Sequence, residues 1–513
     1  MNVVFRVDAS VQMGIGHLKR CQTLAQQLRA RGVKVGFVCR DYPGNLITML
    51  QRDAFPITVL PKPVTEDKPE FEDYVARLGV SQAEDAEQTI EALNGKMPDW
   101  LIVDHYGLGI EWEQILRPYI SKMMVIDDLS NRHHDCDVLL DQNYSLVNEA
   151  HYAKLVPANC KLLIGPRYAL LRPEYLVHRK TKRSRDGLVK KVLVSFGGSD
   201  LQNMTGIVLE ALSHPDLKHL EVDIVVGANN PHTVMLKNMA KERTKTNLHG
   251  HTSHLAALMS QADLAVGAGG TTTWERMCLG LPAVVISLAE NQRPASEALA
   301  QAKLIQYAGY FIGITVAHLG QMLQSLICNT KKLTKLAMLN QIQVDGLGAF
   351  RLVEVLSSTA AHDLKLRPAC KEDINFYYSW ANDPDVRKNA INTSSINWTS
   401  HQAWFADKLW SENTSLFVLE AAGLPVGQIR FDKNGEVTDI DYSLDSIVRK
   451  RGWGSRLVGM GLAIMQKDEP VRFRAEVKAS NEVSSAIFLR LGFTEGSSKV
   501  IGGGRSFFCD PLG

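Results

Sequence analysis

The sequence lacks a long apolar run, paired cysteines and an excess of charge of either sign, and each lack closes a class of function. No apolar stretch approaches the ~20 residues needed to cross a bilayer. The N-terminus, Met-Asn-Val-Val-Phe-Arg-Val-Asp, has no basic segment leading into an apolar core and does not read as a signal peptide. The eight cysteines (Cys21, Cys39, Cys136, Cys160, Cys278, Cys328, Cys370, Cys509) stand singly with no CxxC pair, a pattern of reduced cytoplasmic thiols rather than of a disulfide framework or zinc site. Lys and Arg number 57 against 55 Asp and Glu, with no basic tract and no aromatic-basic stripe, so neither nucleic acid nor membrane is an expected partner. His133, His134, His249, His251 and His254 have no Cys or Asp partners at ligand spacing, and no metal is expected.

What is present is ordinary globular composition, 45% hydrophobic and 22% charged over 513 residues. At roughly 150 residues per domain, about three domains are expected. The opening reads strand (Val3 to Val7), Gly-rich turn (Met13-Gly14-Ile15-Gly16-His17), amphipathic helix (Leu18, Cys21, Leu24, Ala25, Leu28 on one face) and strand (Val33 to Cys39). That is a βαβ unit and implies a parallel sheet. Trp100 to Asp104 and Met123 to Ile126 are further buried strands, ending in acidic or polar residues where such sheets place their sites. A second series runs through strands Lys191 to Ser195, Val222 to Val226, Leu264 to Val266 and Ala283 to Ser287, with a basic, polar connection over Leu176 to Leu188 and helical text to about Ser358. From about Asp363 the pattern changes to α+β. Strands are expected at Leu364 to Arg367, Phe417 to Glu420, Val426 to Phe431, Thr438 to Leu444 and Arg472 to Val477. A hairpin signal falls at Gly423-Leu424-Pro425, helices at Glu372 to Trp380 and Val483 to Leu491, and a Gly-rich turn followed by a helix over Arg449 to Ile464. The expected architecture is therefore two doubly wound Rossmann-like lobes, 1–175 and 176–358, with a cleft between them, followed by an α+β domain, 363–513.

Three turns carry chemistry. Gly14 and Gly16 let backbone approach a ligand at a helix N-terminus, a position that favours anions, and His17 can exchange a proton near neutral pH. The turn departs from a dinucleotide fingerprint because Arg20 stands where glycine is needed. In the second lobe, Gly198 and Gly269-Gly270-Thr271-Thr272 offer amides and hydroxyls to a diphosphate. Glu275 one turn on can accept from a ribose, and Asn291 and Gln292 follow the next strand. In the third region Arg449-Lys450-Arg451-Gly452-Trp453-Gly454-Ser455 fits R-x-x-G-x-G and can cradle a pyrophosphate. Taken alone, each turn is equally a tight connection.

In combination the motifs are more specific. Arg6-Val7-Asp8-Ala9-Ser10 through Cys21, Val103-Asp104-His105-Tyr106, Ile126-Asp127-Asp128-Leu129, Leu140-Asp141-Gln142-Asn143, Gly165 to Arg172, Phe196-Gly197-Gly198-Ser199-Asp200 and Gly270 to Arg276 occur in order. Together they resemble the UDP-2,4-diacetamido-2,4,6-trideoxy-β-L-altropyranose hydrolases of pseudaminic acid biosynthesis, over roughly residues 1 to 350. The resemblance implies a glycosyltransferase B-like fold, water attack at the anomeric carbon of a UDP-activated amino sugar and inverting C–O cleavage without a metal. His17 matches the base, Asp8 a carboxylate near it that orients the imidazole or binds sugar, and Tyr106 a residue near the sugar. The third region, with Val426-Gly427-Gln428, the R-x-x-G-x-G turn, Asn481, Phe488 and Gly492-Phe493 in order, resembles the GCN5-related N-acetyltransferases. This implies acetyl-CoA along Leu444 to Ser455 (Arg449, Arg451, Gly452, Trp453, Gly454), with Asn481 in contact. Phe488 stands where many relatives carry the tyrosine that protonates the thiolate, so either another group such as Tyr442 or Ser484 helps or the thiolate leaves unassisted, and Glu476 or a water chain is a candidate base. The joint expectation is an enzyme that acetylates the 4-amino group of a UDP-amino sugar and then hydrolyses UDP from the product. A glycosyltransferase, an acetyltransferase for another amine and a non-catalytic acetyl-CoA-binding module are the alternatives, and the oligomeric state is open.

Overall fold

Two all-parallel sheets account for most of the first 310 residues. Seven strands, β1 Asn2–Val7, β2 Lys34–Arg40, β3 Ile57–Leu60, β4 Trp100–Asp104, β5 Met123–Ile126, β6 Val138–Asp141 and β7 Lys161–Ile164, form the first sheet in the order β3-β2-β1-β4-β5-β6-β7. Six more, β8 Lys191–Ser195, β9 Glu221–Val225, β10 Thr246–His249, β11 Leu264–Ala268, β12 Ala283–Ser287 and β13 Gln306–Tyr310, form the second in the order β10-β9-β8-β11-β12-β13. Helices cover both faces, so the central strands β4, β5, β11 and β12 are buried throughout and had to be near-continuous apolar text. These are the Rossmann-like lobes read from the sequence. The computed structural model describes residues 1–10, 13, 15–63, 74–144, 149–181, 185–227, 229–250, 254–357, 364–467, 470–496 and 504–510. It falls into two units, Met1–Val353 and Glu354–Gly513.

In each parallel sheet the strand order reverses between two neighbours, β1 and β4 in the first and β8 and β11 in the second. The crevice beyond the C-terminal strand ends at such a reversal is where open α/β sheets bind ligands. The basic connector does more than link the two halves. Helix Pro173–Thr181 occupies its start, and Tyr175 is fully buried in the second sheet's core. Arg179 donates to the carbonyls of Cys278, Gln341 and Val344, and Arg185 to those of Met259, Ala262 and Leu279. Its cations therefore close helix ends of the second layer.

The second unit is built on a mixed sheet. Its strands are β14 Leu364–Pro368, β15 Thr414–Ala421, β16 Leu424–Asn434, β17 Val437–Leu444, β18 Arg472–Lys478, β19 Thr494–Gly496 and β20 Gly504–Cys509, in the order β14-β15-β16-β17-β18-β20-β19. Only β17 and β18 pair in parallel, and their ladder stops at Ile440 opposite Ala475. One expectation shifts by a few residues. The β15–β16 turn is Ala422-Gly423, both left-handed (φ 49° and 80°) as a two-residue hairpin requires, so Leu424 and Pro425 already belong to the strand. The Gly-rich turn and helix expected over Arg449 to Ile464 divide at Trp453, where the helix begins after the left-handed Lys450 and Gly452 (φ 64° and 75°). Helix Trp398–Leu409, capped by Asn397, was not read from the sequence, since its Trp, Thr, Ser and His content is poor helix text.

A buried ionic knot ties helix Gln82–Leu93 to the first sheet. The Asp85 carboxylate accepts from Arg6 (2.7 and 3.1 Å), Arg40 (2.6 Å) and the Trp112 indole (3.0 Å), with no exposure of its own. Burial alone would raise its pKa, but the two guanidiniums outweigh that and hold it well below the usual carboxylate range. A depressed carboxylate pKa contributes stability that is complete above the unfolded-chain value of about 4 and is lost as pH falls below it. Asp85→Ala, which strands two buried cations, should cost about 3–5 kcal/mol, read as a lower urea midpoint for the first unit at pH 7, with the gap to wild type closing in acid.

Candidate functional site

The first crevice is organised around the end of β4. His17 lies in the first turn of helix Gly16–Ala30, and its Nδ1 is 2.6 Å from Asp104 Oδ1. Arg20, one turn on, grips the same carboxylate with Nε (2.7 Å) and Nη2 (2.6 Å), and the Cys21 thiol adds a contact at 3.3 Å. Arg20 Nη2 also stands 3.1 Å from His17 Nδ1. Arg20 can only donate and its Nη2 is already taken at shorter range by Asp104, so Nδ1 carries a proton and donates it to Asp104. Nε2 is left as the lone-pair nitrogen. Asp104 is wholly buried; burial would raise its pKa, but Arg20 and His17 reverse this and keep it ionised at any ordinary pH. The His17 ring packs edge-on against Tyr106 with centroids 4.6 Å apart. The Tyr106 hydroxyl donates to Asp128, which also receives Arg20 Nη1 (3.4 Å) and Asn143 Nδ2 (3.0 Å).

Two expectations change here. The carboxylate on His17 is Asp104, not Asp8. Asp8 is bound by Arg6 Nη1 (2.7 Å) and the Arg40 backbone N–H (2.7 Å), and its second oxygen lies 3.4 Å from His105 Nε2. Arg20 is not displayed to a ligand; it is buried between Asp104 and Asp128. Gly14 lies outside the described residues. Sequence reasoning had Asp104 and Asp128 inside its motifs but gave them no role; their place at the ends of β4 and β5 was the available signal.

Across the crevice are the strand-end loops of the second sheet. Gly197 is left-handed (φ 86°), and Gly198 follows it into a loop that Asp200 closes by capping the backbone N–H groups of Met204 and Thr205 (2.9 and 3.0 Å). After β11, Gly269 has a packing reason, since a Cβ there would sit 2.5 Å from Ser296 Oγ, whereas a Cβ on Gly270 would meet Gln292 Nε2 only at ordinary contact distance, 3.9 Å. Thr271 is exposed and Thr272 starts helix Thr272–Cys278. A Cβ on Gly16 would lie 3.8 Å from Thr271 Cγ2, so the His17 turn and this loop come within van der Waals reach. Glu275 Oε2 is buried with no hydrogen-bond partner among the described residues, and burial raises the pKa of its carboxyl despite Arg172 nearby. The Gln292 side chain accepts from the Leu288 N–H (2.9 Å), and Asn291 lies on the 3-10 turn Glu290–Gln292.

The second unit contains a cavity of about 1230 Å³ beside the open end of the β17–β18 ladder. Leu444, Arg449, Gly452, Trp453, Gly454, Ser455 and Asn481 line it. No side chain caps the start of helix Trp453–Met465 at Gly452, and a helix start is a position that favours an anion. Arg451 departs from expectation: it donates to the Glu354 carbonyl (3.0 Å) and stacks over Trp453, because the left-handed residues flanking it turn it out of the cavity. Arg449 reaches the Leu444 carbonyl and is balanced by Asp383 and Asp385. Asn481 caps helix Glu482–Arg490 through the Ser484 N–H. Tyr442 and Ser484 share a 2.9 Å hydrogen bond on the cavity wall, and Phe488 is buried against Tyr442, Phe493 and Phe507. Among the described residues no group of three or more His, Cys, Asp or Glu could hold a metal ion, and no helix is long and apolar enough to cross a membrane. Of the five histidines weighed above, His134 pairs with Glu113 and His249 with Asp223, and His251 is outside the described residues.

Comparison with known proteins places both units. Residues 363–494 match the acetyltransferase (GNAT) domain, and residues 192–341 the glycosyltransferase family 28 C-terminal domain. The chain is 26% identical over 302 residues to the UDP-2,4-diacetamido-2,4,6-trideoxy-β-L-altropyranose hydrolase of Campylobacter jejuni, covering 59% of this chain and 97% of that one. It is 24% identical over 303 residues to the spore coat polysaccharide biosynthesis protein SpsG of Bacillus subtilis, covering 58% and 81%. An uncharacterised protein of Methanocaldococcus jannaschii is 23% identical over 424 residues, 80% of this chain and 78% of that one. The chain is thus similar to the hydrolase and to SpsG over about 300 residues, and its residues 363–494 match the GNAT domain.

One property of the first crevice is open to direct measurement. His105 Nδ1 accepts from the Gly107 N–H (3.0 Å), and burial, only partly offset by Asp8, lowers its pKa to about 4. The imidazole is therefore neutral, with its proton on Nε2 toward Asp8. A lowered histidine pKa contributes stability present above the unfolded-chain value of about 6.5 and lost as pH falls toward the folded value. Nitrogen NMR of the labelled protein should show His105 as the Nε2–H tautomer with no titration from pH 8 down to about 5; a midpoint near 6.5 would contradict this geometry.

Proposed function

We propose that the protein is a bifunctional nucleotide-sugar enzyme. Its GNAT domain acetylates the 4-amino group of a UDP-linked amino sugar. Its first unit then hydrolyses the resulting UDP-2,4-diacetamido-2,4,6-trideoxy-β-L-altropyranose to UDP and free sugar, as in pseudaminic acid biosynthesis. The observation that carries the reading is the His17–Asp104 pair facing the Gly270-Thr271 loop across one crevice, in a chain similar to a hydrolase of that name. Residues 1–175 supply the base, 176–358 hold UDP, and 363–513 transfer the acetyl group. Both reactions are placed in the cytoplasm.

In the first unit the diphosphate lies against the amides of Gly198, Gly270 and Thr271, with Thr272, Asn291 and Gln292 beside it. Glu275 accepts a ribose hydroxyl through its unpartnered oxygen. Tyr106, held by Asp128, flanks the sugar. His17 Nε2 takes a proton from water as the water oxygen bonds to the anomeric carbon from the face opposite UDP. The anomeric C–O bond breaks, configuration inverts, and the pair of electrons leaves on UDP. Asp104 stabilises the imidazolium formed. In the second unit acetyl-CoA lies along Leu444 to Ser455, with its pyrophosphate at the open helix start. CoA is the leaving group, and the Tyr442–Ser484 pair is the proton source in the absence of a tyrosine at Phe488.

The family 28 match favours one rival, a glycosyltransferase that needs a sugar or lipid acceptor. Incubating the protein with the UDP-linked 4-amino sugar and acetyl-CoA should release CoA and then UDP, with water the only nucleophile for the second step. In ¹⁸O-water the label should enter the sugar, not UDP; label in UDP, or UDP release only on addition of an acceptor, sinks the hydrolase reading. His17→Ala and Asp104→Asn should each slow UDP release about 100-fold or more, without affecting CoA release.

A further inference from the structure

Behind the acetyl-transfer cavity, one sheet face carries a polar pair that the reading above does not use. Gln428 on β16 and Ser443 on β17 face each other across the ladder, as do Arg430 and Asp441, so all four share a face and line the cavity. Arg430 does not neutralise Asp441: it is drawn to Asp432 (2.7 Å) and stacks over Trp404. Among the described residues Asp441 makes no ion pair. Its contact is instead the Gln428 amide, whose Nε2 donates to Asp441 Oδ2 at 3.1 Å. That bond fixes the orientation of the amide, since a flipped Gln428 would set its oxygen against a carboxylate. Gln428 Oε1 is then a buried acceptor without a partner, on a residue only 6% exposed. Buried polar atoms are rarely left so, and this one borders a cavity. Asp441 itself is exposed and lies one residue beyond the last β17–β18 pair, where the sheet opens.

We propose that Gln428 and Asp441 form the seat of the acceptor amine, with Gln428 Oε1 orienting it and Asp441 accepting its proton. The inference rests on the acetyl-transfer reading and adds the residues that handle the nucleophile. A neutral primary amine has one lone pair and two N–H bonds. One N–H donates to Gln428 Oε1 and the other to the Asp441 carboxylate, which turns the lone pair away from both, toward the thioester carbon. The N–C bond forms and the carbonyl π pair moves to oxygen. One amine proton passes to Asp441. Collapse of the adduct breaks the C–S bond, and the thiolate is protonated from the Tyr442–Ser484 side, on the opposite face of the same strand. Asp441 returns its proton to solvent and the Tyr442–Ser484 pair takes one back from it, so the sum is amine plus acetyl thioester giving amide plus thiol. The ligand class this seat selects is an uncharged primary amine: Gln428 Oε1 and the Asp441 carboxylate accept from two N–H bonds on one atom, which a hydroxyl cannot supply.

The test uses the full chain, the UDP-linked 4-amino sugar and acetyl-CoA. Asp441→Asn should lower kcat for CoA release about 100-fold or more, with KM for acetyl-CoA and calorimetric binding of CoA unchanged. Gln428→Leu should act mainly by raising KM for the amine. Unchanged CoA binding shows that the variants fold. If both variants turn over at wild-type kcat and KM, the seat is elsewhere while the acetyl-transfer reading stands. If the wild-type protein acetylates no primary amine, both fall together.

Discussion

An ionised carboxylate in a fully buried position has to be surrounded by donors, and in the first unit that requirement organises the crevice. Asp104 sits at the end of a strand covered on both faces, so its charge is tolerated only because Arg20, His17 and Cys21 converge on it from one helix. The helix start, the tautomer of His17 and the direction of its free nitrogen all follow. Arg20 extends the arrangement to Asp128 and thereby to Tyr106, so the edge-on contact between His17 and Tyr106 is determined by the same cation that holds Asp104. Beneath this layer Asp8, Arg6, His105 and Asp85 form a second buried network, which gives Asp8 a supporting place rather than one on the imidazole.

The two units solve the problem of exposing backbone groups to a ligand in different ways. The parallel sheets do so where the strand order reverses, since the helices on either side of that point lie on opposite faces and the loops diverge. The mixed sheet does so by ending a parallel ladder early, at Ile440 and Ala475, so that the strands separate beside a helix whose first turn has no side-chain cap. In both cases left-handed residues position the loop: Gly197 in the first unit, and Lys450 with Gly452 in the second.

Much of the fold was legible because buried parallel strands leave little choice of residue. Met123–Ile126, Trp100–Asp104, Lys191–Ser195 and Ala283–Ser287 fall where the apolar runs put them. The strands that escaped notice, such as Ile57–Leu60, Thr246–His249 and Gln306–Tyr310, lie at or next to sheet edges and carry partly exposed, mixed text. The candidate site was legible as loops but not as contacts. His17 and Asp104 are 87 positions apart, and nothing local in either segment indicates that they meet. Arg451 illustrates the reverse: a cation in a glycine turn looks like a ligand for phosphate, yet the backbone sign at its neighbours points it toward Glu354. Gly269, likewise, is small for the sake of Ser296, a constraint visible only once helix Arg293–Gln301 is in place.

The arginine-pinned connector has a mechanical consequence. Arg179 and Arg185 fasten the chain to six carbonyls of the second layer, and Tyr175 anchors it in that layer's core. Just upstream, Arg351 donates to the Arg167 carbonyl, and Gly348 sits so close to Ala169 that a Cβ would be 2.3 Å from its oxygen. The same stretch is also held to the first layer: the turn Pro166–Tyr168 packs on β6 and β7, and the Leu170 N–H donates to Gln142 (3.1 Å), while Ala169, Leu171 and Tyr175 enter the second sheet's core. The crossing is therefore a splint at this point, fastened to both layers at once just after the left-handed Gly165 (φ 102°).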